Sequence, residues 1–152
     1  MHALLKKLNL KTQQKLVVFN APQDLDVLWD ELGVDVRILK EDLSEAVPFC
    51  LIFCTKLDEV EKYATALDNI LTPDALFWFC YPKGSSKKYK CEFNRDNGWQ
   101  VLGKLGYEPV RMVAVDADWS ALRFKKAELI KTMTRSQDFA MTEIGKQKTS
   151  KQ

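Results

Sequence analysis

The chain has 152 residues, 46% of them hydrophobic and 29% charged, with a net charge of +2. That size and balance fit one globular domain whose core folds without disulfides or metal. No apolar run approaches the ~20 residues of a membrane span, and so small a net charge argues against nucleic acid as a partner.

In chain order, Lys6, Lys7 and Asn9 interrupt the leucines of the N-terminus, so a secretion signal is not expected and a cytoplasmic location is. Leu4, Leu5 and Leu8 predict a short amphipathic helix. The run 15–20 (KLVVFN) predicts a buried strand ending at Asn20-Ala21-Pro22. Pro22 suits a helix start, with Leu25, Leu28, Trp29 and Leu32 at helical spacing and Gly33 as a stop. A second strand is predicted over 34–39 and a third, wholly apolar, over 48–54. Thr55-Lys56-Leu57-Asp58 reads as a helix cap, the threonine hydroxyl accepting from the Asp58 amide. Leu57, Val60, Ala64, Leu67 and Leu71 form the buried stripe of the helix behind it. Thr72-Pro73-Asp74 breaks that helix before a fourth strand over 75–81.

Continuous apolar strands joined by amphipathic helices predict an open Rossmann-like α/β sheet, its four strands mainly parallel, with helices on both faces. A glycine-interrupted helix is expected near 96–105. Strands over 107–115 and 119–125 then follow with too short a link for a parallel pair, so an antiparallel hairpin closes the sheet. One α/β domain is expected over 1–125. A short helix from Ala127 to Met133 and a disordered basic tail are expected within 126–152.

Four cysteines, Cys50, Cys54, Cys80 and Cys91, form no C-x-x-C pair, and the single histidine is His2. They read as structural thiols, with no metal site and no cofactor expected. Net charge is −5 over 1–82, +3 over 83–124 and +4 over 125–152. This asymmetry reads as a solvated surface with a basic tail, although it also suits an anionic partner.

Ligands of open α/β sheets bind beyond the carboxyl ends of the strands. That rule points to Asn20, Thr55 and the segment from Tyr81 to Lys90. The first turn reads N-A-P-Q-D, with no glycine to admit a ligand against the backbone, and Pro22 removes an amide that an anion would use. A standard phosphate-cradling loop is therefore not expected. In the third place, Lys83, Lys87, Lys88 and Lys90 with Ser85 and Ser86 can hold an anion and Tyr81 and Tyr89 can stack on a ring, although the commoner pattern for such a segment is a solvated loop. Arg95 and Arg123 add to a basic surface there if they point the same way. Asp116 and Asp118 are either paired carboxylates or, as the commoner pattern has it, a hairpin turn. Trp119, Ser120 and Arg123 follow on two alternating faces.

Asn20-Ala21-Pro22, Tyr81-Pro82-Lys83 and Val115-Asp116 with Trp119-Ser120 and Leu122-Arg123-Phe124 together resemble a family of small bacterial proteins of unknown function. Its strands end in N-A-P and P-K, and its hairpin reads V-D-x-x-W-S-x-L-x-F. The resemblance covers roughly Leu4 to Lys125. It departs where the family has an Asp-Leu-Thr-like segment and this chain has Cys91-Glu92-Phe93-Asn94. The resemblance implies a shortened methyltransferase-type Rossmann domain and brings no activity with it.

The first functional expectation is a non-catalytic binding or interaction module on that scaffold, with a small anion or a protein as partner. The rival is a transferase binding S-adenosylmethionine or a nucleotide in a non-standard way, with Tyr81, Lys83, Asp116 and Ser120 as its polar groups. A third is weak nucleic-acid binding through the basic loop and tail.

Overall fold

A computed structural model describes residues 3–30, 32, 37–39, 46–94 and 96–130. Its elements are α1 (Ala3–Lys7), β1 (Lys15–Phe19), α2 (Val27–Asp30), β2 (Arg37–Leu39), β3 (Val47–Phe53), α3 (Leu57–Asp68), β4 (Leu71–Pro82), α4 (Gln100–Lys104), β5 (Tyr107–Ala114) and β6 (Trp119–Lys126). Six strands form one sheet in the order β2-β1-β3-β4-β6-β5. The first four are parallel, while β6 runs antiparallel to both β4 and β5.

The alternation of each strand builds two cores, one on either face. Val17, Phe19, Cys50, Ile52, Phe77 and Phe79 face the layer of α3 and α4, which contributes Val60, Ala64, Leu67 and Leu102. Leu16, Val18, Leu51, Trp78 and Ala121 face the opposite layer, where α1 supplies Leu4 and Leu5, the turn after it Leu8, and α2 Leu28. Phe77, Trp78 and Phe79 are each at most 1% exposed. A strand buried on both faces is why β4 reads as an unbroken apolar run.

Several expectations need correction. The helix after Pro22 is split into a 3₁₀ turn (Gln23–Leu25) and the short α2, with Leu25, Asp26, Trp29 and Leu32 each donating to the residue three before. A spacing of three suits a 3₁₀ turn as well as an α-helix, so the pattern alone did not separate them. The α3 cap is Lys56, one residue later than expected. Glu59 reaches back to the Thr55 and Lys56 amides at 3.0 and 3.1 Å, whereas the threonine hydroxyl caps nothing. Leu57 then falls at the first helical position, 42% exposed and off the buried stripe.

Helix α3 ends at Asp68, and β4 begins at Leu71, already paired with Val47. The register next pairs Phe49 with Leu76, so β4 carries three more residues than β3 across this irregularity. Pro48 and Pro73 lie within it, where a missing amide costs no ladder bond. The helix expected near 96–105 is shorter, Gln100–Lys104, because Gly98 adopts φ +93° and starts the turn into it. Of the second strand, 34–36 lies outside the described residues, as do Gly33, Arg95 and everything beyond Ile130. Ala127–Leu129 forms a 3₁₀ turn where a helix was expected to start.

Candidate functional site

Strand order reverses beside β1: the chain moves outward to β2, then crosses back to β3 on the other side. A ligand crevice belongs at the carboxyl ends of β1 and β3. Here Asn20 occupies it. Its φ of +61° is a left-handed conformation that asparagine tolerates. Its side-chain amide donates to the Phe53 carbonyl at 3.3 Å and lies 3.2 Å from the Tyr63 hydroxyl. Tyr63 in turn lies against Phe19, with ring centroids 4.7 Å apart. The crevice is therefore laced by side chains at the place where the sequence offers no glycine.

An open cleft of about 830 Å³ lies instead at the carboxyl end of β4, between the following loop and the hairpin. Tyr81, Lys83, Ser86, Tyr89 and Lys90 line it from the β4 side, Phe93, Asn94 and Asp96 from the far wall, and Met112 and Ser120 from the hairpin. Beneath it, Tyr81, Phe93 and Trp99 form an aromatic cluster with centroids 4.9 to 6.1 Å apart.

The loop is held at both ends. At the near end the Lys83 amide donates to the Asp118 carbonyl at 2.7 Å, and the Ser86 hydroxyl donates to Asp118 Oδ1 at 2.8 Å. The same Ser86 oxygen accepts from the Lys88 and Tyr89 amides, and Tyr89 packs on Trp119 with centroids 4.8 Å apart. At the far end the Glu92 amide donates to the Thr55 carbonyl, and the Glu92 carboxylate accepts from the Leu57 amide at 2.9 Å. The first turn of α3 thus gains a partner for one of its orphan donors. Asp118→Ala is expected to cost about 1–2 kcal/mol through lost charged hydrogen bonding. Hydrogen exchange should then quicken at the Lys88 and Tyr89 amides and stay unchanged at Glu92. Equal protection at all three would show that Asp118 does not hold the loop.

Asp116 and Asp118 are turn residues. Asp116 Oδ1 accepts from the Asp118 and Trp119 amides, both at 2.8 Å, while Asp118 holds Ser86. Asp116 and Trp119 therefore support the cleft from behind, whereas Tyr81, Lys83 and Ser120 line it. Ser85, Lys87 and Lys88 are exposed on the loop outside its lining, and the Lys88 ammonium sits 5.4 Å from the Tyr89 ring centroid. Asn20 is at the β1 crevice. Arg123 lies on the other face of β6 from Ser120 and pairs with Trp78, four residues before Pro82 at the carboxyl end of β4, so it stands away from the basic loop. Ser86, Tyr89 and Lys90 belong to the basic segment that the sequence marks out, whereas Asn94, Asp96 and Met112 carry no such signal. Met112 stands as an alternating outward residue of β5, a pattern that says nothing of a cleft until the pairing partner is known.

The cysteines offer no reactive thiolate. Cys50, Cys54 and Cys80 are at most 1% exposed, and burial pushes each thiol well above its ordinary range. Burial also raises the half-buried Cys91. No group of metal-ligating side chains and no helix long and apolar enough to cross a membrane occurs among the described residues.

No family model matches the chain, and no curated protein does. Solved structures do. An N-methyltransferase, NodS from Bradyrhizobium japonicum WM9, superposes with a TM-score of 0.50 at 10% identity, over 81% of this chain and 92% of its own. An S-adenosylmethionine-dependent methyltransferase from Aquifex aeolicus gives 0.49 at 14% identity, over 80% and 86%. Another, from Clostridium acetobutylicum ATCC 824, gives 0.43 at 11%, over 79% and 86%. The chain has a methyltransferase-like Rossmann-type fold.

Proposed function

We propose that the chain is a transferase-type domain that binds S-adenosylmethionine or a nucleotide in a non-standard way. The likeness to a solved N-methyltransferase across 92% of that enzyme's length carries this reading. Methyl transfer from a sulfonium needs close approach and alignment more than an acid or a base. The absence of a reactive thiolate is therefore no obstacle. With Asn20 lacing the β1 crevice, the donor's place on this reading is the β4 cleft, where Tyr81 and Tyr89 supply aromatic surface and Lys83 and Lys90 supply cations.

A second reading is a non-catalytic module that holds a small anion in the same cleft. The tie from Asn20 to Phe53 and Tyr63 favours it, because it spans the ends of β1 and β3, where a donor ordinarily binds. The N-A-P, P-K and V-D-x-x-W-S-x-L-x-F motifs suit either reading, since the bacterial family they resemble brings no activity.

Thermal unfolding with S-adenosylmethionine, nucleotides and acidic metabolites separates the two. A donor at about a hundred times its dissociation constant adds roughly 2.7 kcal/mol, which should raise the melting temperature by roughly 5–11 °C. Lys83→Ala combined with Lys90→Ala should remove most of that rise. A rise with acidic metabolites and none with the donor or nucleotides would reject the transferase reading in favour of the anion-binding module.

A further inference from the structure

The hairpin carries a cation pair on the face away from the cleft. Arg123 on β6 stands directly opposite Arg111 on β5 and, on its other side, directly opposite Trp78 on β4. It shares a face with Trp119 and Ala121, which pack in the α1 layer, and alternates with Ser120 and Leu122, which do not. Arg111 is exposed and Arg123 half-buried. The Arg123 Nε is buried without a hydrogen-bond partner, and neither guanidinium has an ion pair among the described residues. Like charges placed directly across an antiparallel pair repel, and a buried donor without an acceptor is unfavourable. Burial lowers the Arg123 pKa, and Arg111 lowers it further, against the opposing pull of Asp74. An arrangement with these costs in the unliganded protein is what a preorganised anion receptor requires.

We propose that Arg111 and Arg123 form an oxyanion site on the α1-side face of the hairpin, and that its ligand is a carboxylate. Among the described residues Asp74 is the acid whose charge acts on Arg123, which leaves the two guanidiniums one positive charge in excess. A single carboxylate neutralises it, whereas a phosphate dianion overshoots. The planar guanidinium fork also matches a carboxylate edge with two parallel hydrogen bonds. This site is independent of the cleft: Met112 and Ser120, which line the cleft, lie on the opposite face of the same two strands.

The test follows the arginine Nε–Hε resonances of the full ¹⁵N-labelled chain, assigned by substitution, during titration with acetate, an N-acetylated tripeptide or inorganic phosphate at constant ionic strength. The expected result is a saturable shift of both signals with acetate. Arg111→Gln should weaken it about tenfold, the loss of one charged hydrogen bond. Arg123→Met should abolish it and raise the melting temperature of the unliganded protein by ~2 °C, because an apolar residue of similar length removes the unsatisfied donor. Tighter binding of the tripeptide than of acetate assigns the carboxylate to a peptide terminus; equal binding assigns it to a small free acid. Linear shifts without saturation, tighter binding of phosphate than of acetate, or a lower melting temperature for Arg123→Met would each overturn the proposal.

Discussion

Gly98→Ala is expected to cost about 3 kcal/mol and to lower the melting temperature by roughly 6–12 °C, the loss of a strained turn and its packing together. A Cβ at this position would fall inside the contact distance of Phe93 Cβ and stand 3.0 Å from Leu57 Cδ2. The φ of +93° already disfavours any side chain. Phe93 cannot yield easily, because it is 5% exposed and packed edge-on to Trp99. The far wall of the cleft runs through this turn, so ligand binding should weaken even at temperatures where the variant stays folded. Gly84→Ala is the matched control: nothing lies within 4 Å of its added Cβ, and a change below about 0.5 kcal/mol is expected. Equal melting temperatures for the two variants would mean that the Phe93–Gly98 contact is not tight in solution.

Trp78→Ala is expected to cost about 3–5 kcal/mol in urea unfolding, the range for removing a large buried aromatic. Trp78 is fully buried, in register between Leu51 on β3 and Arg123 on β6. Its indole N–H donates to the Leu8 carbonyl at 3.1 Å, which fastens the end of α1 to the middle of the sheet. Trp78→Phe keeps most of the apolar volume and leaves that carbonyl without its donor, so a smaller loss of about 1–3 kcal/mol is expected. Exchange should then rise selectively in α1. If Trp78→Phe left α1 as protected as before, the leucines of α1 alone would hold it.

Most of the sheet was legible because its signal is local. The runs at 15–20, 48–54 and 75–81 are apolar enough to announce buried strands, and the short link at 115–118 forced an antiparallel pair. The errors fall where short-range spacing carries two meanings. Leu25 and Leu28 are three apart, which suits a 3₁₀ turn and an α-helix alike. Pro73 was read as the end of a helix, although it also fits a strand wherever its absent amide faces an irregularity in the ladder.

The site was legible in its parts and not in its assembly. The lysine-rich loop and the aspartate turn stood out as separate features, and each had a bland reading. What joins them is the pair of hydrogen bonds from Lys83 and Ser86 to Asp118, across 32 residues or more of sequence. No local pattern announces such a contact. Arg123 shows the converse. Grouped by charge it belonged with the loop lysines, but the register sets it opposite Trp78, four residues back along β4 from the loop.

The strand order also has a consequence for how the protein is made. β4 lies between β3 and β6, so one of its edges stays unpaired until the hairpin has been synthesised. During that interval a polypeptide emerging from the ribosome exposes the row Ala75 to Tyr81, apolar on both faces, along an open edge. Such a row is a template for pairing with another chain. The hairpin counters this by its own speed, since closing a four-residue link takes microseconds, whereas residues leave the ribosome at roughly 5–20 per second. Slow translation between β4 and β6 would therefore be the step at which this fold is most prone to aggregate.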